Sequence, residues 1–438
     1  MAVELDVQKF FRACNPSKTL NYKKAEDRRY YIDFSQVRGA EVVEEVGRTI
    51  EFMEPDPTCQ LFTGHIGCGK STELLRLKAE LENKGFHVAY FESTNVLETS
   101  DVEVSDLLLA IAHQISENLR DAGIPLVGRY FANLLQECAN FLQTPVQIET
   151  QAEISLGIGK LTAKAKESPT FRSQLRQYLE PQTKQLIDGI NNDLLVPANE
   201  ILRKRGKQGL VAIVDNLDRV DNRKLDSGLT LPEYLFVRRG DQLRSLKCHL
   251  VYTIPLALLF SNEHQALKNR LGGGSSAMVL PMVPVQLRDG SLYTEGLDRL
   301  KQMIMVRAFP QATPEERLQW VDRAFDSRET LDWLCYQSGG HVRMLLSLVF
   351  SCLRKHKPLP ITRKMVEVAV REARDELRLS ITEDEWTLLR KVLQTKEVAG
   401  PIESQTLLRS LFVFEYRNAE DGRWFDVNPL LDGSPELG

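Results

Sequence analysis

Gly64-His-Ile-Gly-Cys-Gly-Lys70-Ser71 constrains this chain more than any other segment. It fits the pattern G-x-x-x-x-G-K-[ST]. It follows the short apolar run Gln60–Thr63 and leads into Ser71–Asn83, where leucines at 74, 75, 77 and 81 form a helical stripe. Strand, glycine-rich turn and helix in that order make a phosphate cradle. The glycines let the backbone turn tightly enough to aim its N–H groups inward, and the start of the helix adds the positive end of its dipole. Gly64, Gly67, Cys68, Gly69, Lys70, Ser71 and Thr72 are the expected phosphate-binding residues. Within them Lys70 would reach the β- and γ-phosphates, and the Ser71 hydroxyl would ligate Mg²⁺.

Such a cradle needs a sheet behind it, and the flanking pattern supplies one. Gly85 stands where a helix C-cap belongs, His87–Phe91 reads as a strand, and Val104–Arg120 as a helix carrying Leu107–Leu109, Ile111, Ala112 and Ile115. Leu210–Val214 and Leu250–Ile254 are two more apolar strands. This alternation predicts an α/β fold, a three-layer P-loop core with a parallel sheet. From Val146 to Ile158 the even positions are largely apolar, which predicts a strand or ribbon. After Gly159 the phase flips and leaves Lys160, Thr162, Lys164 and Lys166 on one face, as a glycine bulge would. This stretch reads as part of an insertion at about 125–205.

Beyond residue 285 the chain turns mostly helical. Thr313-Pro-Glu-Glu316 is a capping box, His341–Arg354 and Thr362–Glu376 continue a bundle, and Ser380-Ile-Thr-Glu383 reads as a second box opening helix 381–394. A short helix near Ser404–Leu411 follows. Phe412–Arg417 and Arg423–Val427 then flank Asn418–Gly422 as a hairpin. Helix, helix, hairpin is the layout of a winged helix. The expected domains are an N-terminal segment 1–48, a core 49–285, a helical lid 286–376 and a winged-helix-like module 377–438.

The second half of a phosphate-transfer site is an acidic residue at the tip of a buried strand. Asp215, directly after Leu210–Val214, fills that role and would hold Mg²⁺. The next residue is Asn216, where the commonest AAA+ arrangement has a glutamate. Asp218 is then the nearest carboxylate able to orient the attacking water, or else a turn aspartate capping the next helix.

With these residues in view, Asp215–Arg219 (DNLDR) resembles a segment of KAP and related STAND-type P-loop NTPases, although that pattern often has a second aspartate where Asn216 stands. The run GHIGCGKSTELLRL is similar to the P-loop of bacterial ATP-binding proteins with AAA+/STAND-like cores. The resemblance implies ATP hydrolysis and further roles. Thr253 falls at the sensor-1 position, or is a plain strand-terminal threonine. Arg343, in Ser338-Gly-Gly-His-Val-Arg343, resembles the sensor-2 arginine of AAA+ and origin-recognition-type ATPases, with Val342 replacing proline; the alternative is a surface arginine. Arg270, before Gly272-Gly-Gly-Ser-Ser276, is the candidate arginine finger, with Arg244 as competitor. Tyr30, Tyr31 and Arg38 stand where adenine often packs, or where core aromatics would.

Composition narrows the function. A net charge of −4 opposes a chain coated in phosphate-binding surface. Seven scattered cysteines with no Cys-x-x-Cys pair exclude an obvious zinc site or disulfide framework and fit a reducing compartment. Cys68 could be an acidified thiol at a helix start, or merely a small side chain the loop tolerates. No signal-peptide core opens the chain, and Val251–Phe260 is about half the length a membrane span requires, so a cytoplasmic protein without membrane attachment is expected. No [NT]-K-x-D motif appears where a GTPase would carry it, which favours ATP.

The tail from Arg378 holds eleven acidic and seven basic residues, which turns the winged-helix reading from DNA toward protein partners. Basic stretches at Lys160–Lys166, with Arg172 and Arg176, and at Arg203–Lys207 are the first candidates for nucleic acid. The expectation is a Mg·ATP-driven conformational or assembly switch that engages protein partners, with ATP-dependent self-association. The alternatives are a nucleic-acid-acting ATPase of the origin-recognition or transposition-regulator type and a weakly hydrolysing nucleotide-binding scaffold. A small-molecule kinase is disfavoured, because lid, insertion and wing exceed what such an enzyme needs.

Overall fold

The computed structural model describes residues 5–39, 41–124, 129–143, 151–355, 359–398 and 400–438. The chain forms two compact units, one of Val43–Thr63 and Leu77–Met278, the other of Met1–Val42, Gly64–Arg76 and Val279–Gly438.

The first unit is built on strands β1 (Cys59–Gly64, as far as Thr63), β2 (His87–Glu92), β3 (Leu210–Asp215) and β4 (His249–Thr253); with β5 (Met278–Leu280), of which Met278 belongs to this unit, they form a five-stranded sheet in the order β2-β3-β4-β1-β5. The pairings β2/β3, β3/β4 and β1/β4 are parallel. This is an α/β P-loop fold. Every residue of β3 is buried, which its continuous apolar run requires of a strand covered on both faces. The registers Phe62↔Thr253, Val214↔Tyr252 and Glu92↔Asp215 bring the carboxyl ends of these strands to one edge. Open α/β sheets bind ligands outside such an edge. The apolar stripe of helix Val104–Asp121 is buried with β3 and β4 in one core.

One expectation is overturned here. Gln151–Glu167 is a helix and not a ribbon; residues 146–150 lie outside the described residues. Its buried positions Ser155, Ile158, Leu161, Thr162 and Ala165 are spaced three and four apart, the period of a helix face. That face packs on helix Val104–Asp121. Gly159 makes no bulge: a Cβ there would lie 2.6 Å from His113 Nε2, so the missing side chain lets the two helices approach.

The second unit has its own core. Helices Thr294–Ala308, Arg328–Gln337, Val342–Lys355 and Arg363–Arg378 bury leucines, valines and methionines around Phe309 and Phe325, joined by Phe10 and Phe34 from the N-terminal segment. The Thr313/Glu316 capping box forms as expected. The next box is displaced: Thr382, not Ser380, caps helix Glu383–Thr395, and its partner is Glu385. That shift sets Trp386 and Leu389 on the buried face. Helix Pro401–Arg409 and the antiparallel hairpin β6 (Val413–Asn418) and β7 (Gly422–Val427) end the unit, with Tyr416 and Trp424 stacked across the ladder. All seven cysteines are unpaired. Among the described residues no helix is long and apolar enough to cross a membrane.

Candidate functional site

The glycine-rich loop and the residues that support it belong to the second unit. Every carbonyl from Gly64 to Cys68 accepts a hydrogen bond. Lys70 Nζ donates to Gly64 O (2.8 Å) and His65 O (2.9 Å), and His341 Nε2 donates to Ile66 O (2.8 Å). The Arg343 N–H donates to Gly67 O (3.2 Å), and Arg38 Nη2 to Cys68 O (2.8 Å). With its oxygens held by donors, the loop is built to present N–H groups, the arrangement that suits an anion. The approach is close: a Cβ on Gly67, at φ +90°, would fall 2.6 Å from His341 Cε1.

Two neutral histidines brace this loop. His65 Nε2 accepts the N–H of Glu415 (2.9 Å), and His341 Nδ1 accepts the N–H of Met344 (2.9 Å). Burial pushes His65 down to about 3, with His341 and Lys70 adding to the effect. Burial likewise pushes His341 down to about 4. The sequence pattern assigns no role to His341, and counts Glu415 only among the acidic residues of the tail. Only the glycines beside His341 hinted at a close approach.

A cavity of about 60 Å³ opens beside the loop, bounded by Tyr30, Tyr31, Arg38, Cys68, Thr72 and Glu73. Tyr31 Oη donates to the Glu73 carboxylate (3.1 Å), and Arg76 Nε does so at 3.0 Å. Burial raises the Glu73 carboxyl despite Arg76 and Arg38 nearby. Arg38 Nε is buried with no partner among the described residues. Tyr30, Tyr31 and Arg38 therefore line a pocket next to the loop. Cys68 is fully buried, and the Arg343 side chain is exposed.

The sheet unit holds the expected strand-end acid. Asp215 is buried at the tip of β3, where Tyr90 Oη donates to Oδ2 (2.8 Å) and the Asn216 N–H to Oδ1 (2.7 Å). Burial and the Asp215 charge both raise the Tyr90 phenol, so it stays a donor. Asn216 sits in the left-handed region at φ +63°, a conformation asparagine tolerates better than glutamate. Thr253 Oγ1 accepts the Leu217 N–H (2.9 Å) and donates to Val214 O (3.3 Å), which ties the turn after Asp215 to β4. Asp218 is half-buried in the short turn Leu217–Arg219.

The arginines of the sheet unit differ. Arg270 Nη1 donates to Val237 O (3.3 Å) and Arg238 O (3.4 Å), and its Nε pairs with Asp241 (3.3 Å). Arg244 has no hydrogen-bond or ion-pair partner among the described residues. The basic stretches read as candidates for nucleic acid are largely engaged within the unit. Arg172 and Arg176 pair with Asp101, and Arg176 also with Asp106. Arg203 pairs with Glu54, and Lys166 donates to Thr94 O and Asn95 O.

No family model and no curated protein matches the chain. Among solved structures it is similar to a Walker-type ATPase of Pyrococcus abyssi, at 13% identity over 96% of this chain and 98% of that one, TM-score 0.41. It is also similar to the ORC2 protein of Aeropyrum pernix in ADPNP–ADP complexes, at 10% identity over 97% and 95%, TM-score 0.41. A third is Cdc6p of Pyrobaculum aerophilum, at 13% identity over 99% and 98%, TM-score 0.39.

Proposed function

We propose that the chain is a Mg·ATP-binding P-loop ATPase of AAA+/STAND type, used as a conformational and assembly switch that engages protein partners. The observation that carries this reading is the loop Gly64–Ser71, whose carbonyls from Gly64 to Cys68 are held by donors while Lys70 lies buried among them. A loop so built takes the phosphates on its N–H side, Lys70 neutralises them, and the pocket at Tyr30, Tyr31 and Arg38 takes the base. The proposed layout is a core at 49–285, a lid at 286–376 and a winged-helix-like tail at 377–438.

Ser71 and Asp215 offer a hydroxyl and a carboxylate, the hard oxygen donors that Mg²⁺ takes beside substrate phosphates. Tyr90 and the Asn216 N–H fix the orientation of that carboxylate. When bound, the ion supplies charge neutralisation at the phosphate oxygens. Asp218 orients the attacking water, Thr253 holds the turn that carries it, and Arg343 on the lid reports the γ-phosphate. Arg270 acts as a finger only in an assembly that releases it from Asp241. Lid angle then follows nucleotide state, and partners read that angle.

A second reading, a scaffold that hardly hydrolyses ATP, is favoured by Asn216 standing where a catalytic glutamate would. The test is ATP turnover by wild type, Lys70→Ala and Asp218→Asn, with particle mass recorded with and without Mg·ATP. Turnover lost in both variants, with ATP-dependent assembly of the wild type, is the expected result. A wild type that binds ATP but neither turns it over nor assembles leaves the scaffold reading in place.

A further inference from the structure

The pocket beside the glycine-rich loop has one wall whose role is unassigned. Met303, Arg307, Val342 and Leu346 line it as well, and all belong to the unit that holds the loop. Arg307 stands in the last turn of helix Thr294–Ala308 and is only 4% exposed. Its Nε donates to Ala13 O (3.1 Å), at the C-terminal end of helix Val7–Ala13, and its Nη1 to Met303 O (2.7 Å). A helix C-terminus carries partial negative charge, which offsets part of the cation.

Nη2 is left over. It has no hydrogen-bond or ion-pair partner among the described residues, yet it stays open to water where Arg38 Nε does not. In a residue so enclosed that also lines the pocket, this opening is into the pocket. Glu73 shares the pocket but does not answer the charge, because Tyr31 (3.1 Å) and Arg76 (3.0 Å) already occupy its carboxylate. Burial disfavours the Arg307 charge, and the groups that favour it are Cys14 and Tyr30, neither of them a carboxylate. The Tyr30 ring lies 6.0 Å from the guanidinium and lines the same pocket. A guanidinium keeps its proton, so Nη2 is a permanent donor. A buried donor without an acceptor is costly, and an acceptor brought by a ligand would relieve it.

Leu20, Phe34, Met303, Val342 and Leu346 give the pocket apolar walls. Such walls suit a flat, largely apolar ring with an acceptor on its edge better than a second phosphate. We propose that Arg307 is the residue that reads the base, its Nη2 donating to a ring nitrogen of adenine. This rests on the nucleotide reading above and adds to it what selects the base. A site built around a buried donor rejects an analogue that lacks the acceptor more strongly than an apolar pocket separates two shapes.

The test is calorimetric binding of ATP and its 1-deaza, 3-deaza and 7-deaza analogues, each with one ring nitrogen replaced by C–H, to the full chain and to Arg307→Met. One analogue should bind the wild type about tenfold or more weaker than ATP, and that factor should shrink to about twofold or less in the variant. Inorganic tripolyphosphate should bind both proteins alike, because Arg307 is assigned to the base. Arg307→Met also removes the bond to Ala13 O, so melting curves accompany the titrations. Where methionine unfolds the chain, Arg307→Lys takes its place with the same expected shrinkage, since it keeps a charge and a donor but loses Nη2. ATP binding with all three analogues within about twofold of it, or a loss that persists unchanged in the variant, overturns the proposal and leaves the nucleotide reading standing. Weaker tripolyphosphate binding by the variant would put Arg307 on the phosphates and overturn it too. A wild type that binds neither ATP nor tripolyphosphate overturns the nucleotide reading and this inference with it.

Discussion

The backbone N–H of Glu415 donates to Nε2 of His65 at 2.9 Å, a bond between the C-terminal hairpin and the second residue of the glycine-rich loop. Both ends are buried, and Phe414 sets its ring edge-on to His65 and stacks on His341. The hairpin therefore supports the loop directly, and the support needs His65 to be neutral. His65→Leu removes the acceptor and should cost about 1–3 kcal/mol of unfolding free energy at neutral pH. The folded value of His65, about 3, lies below its ordinary 6.5, so between these the unfolded chain holds a proton that the folded one does not. The advantage of wild type over the variant is thus fully present above pH 6.5 and is lost as pH falls toward 3, by about 1.4 kcal/mol per pH unit. Urea unfolding of both proteins at neutral pH and one unit below 6.5 measures it. A difference that does not change with pH would show that His65 is not held neutral by the fold.

Gly67 and Gly69 separate two costs that a glycine-rich loop usually confounds. Both have positive φ, +90° and +108°, but a Cβ on Gly69 meets nothing within 4 Å, whereas on Gly67 it would overlap His341. Gly69→Ala should show backbone strain alone, about 1–2 kcal/mol. Gly67→Ala should add an overpacking cost of about 1–3 kcal/mol and weaken nucleotide binding with it. Denaturant midpoints without nucleotide make the comparison. Equal losses would mean that His341 moves aside freely.

Thr253 acts through its hydroxyl, which takes the buried Leu217 N–H and holds the turn after Asp215. Thr253→Val keeps the shape and leaves that N–H unpaired, for a loss of about 1–3 kcal/mol, while Thr253→Ser should recover most of it. If that turn carries the reaction proposed above, turnover should fall in the valine variant with ATP affinity within about twofold of wild type. A valine variant as active and as stable as wild type would reduce Thr253 to an ordinary strand end.

How far the chain could be read in advance follows from the range of the interactions involved. The loop at Gly64–Ser71 and the strand ending at Asp215 were legible because pattern, turn and charge all lie within a few residues. Helix Gln151–Glu167 was not. Its apolar residues satisfy alternation over a short window, and what decides for a helix is the packing of Gly159 against His113, in another helix. Arg172 and Arg176 read as candidates for nucleic acid because their partners Asp101 and Asp106 lie some seventy positions away. The His65–Glu415 bond spans 350 positions and leaves no local trace, since any residue supplies the backbone N–H that histidine accepts. Asn216 was visible as a departure from pattern, but its left-handed conformation explains the choice only once the turn is seen.

Tyr90 is the residue through which the role proposed for Asp215 can be tested without removing the carboxylate. Its hydroxyl donates to Asp215 Oδ2 at 2.8 Å while the Asn216 N–H holds Oδ1. Tyr90→Phe removes one of these two restraints, keeps the ring in place and leaves the carboxylate charge intact. If Asp215 serves Mg²⁺, the looser carboxylate should raise the Mg²⁺ concentration needed for half-maximal turnover by about tenfold, as loss of an orienting partner does at metal sites. The unfolding midpoint should move little, because the hydroxyl's other role is only a hydrogen bond worth about 1–2 kcal/mol. The measurement is ATP turnover against Mg²⁺ concentration for both proteins at saturating ATP. A Mg²⁺ curve that superposes on wild type, with the fold intact, would place Asp215 outside the ion's reach. The carboxylate would then be serving the turn at Asn216, to whose N–H it is bonded.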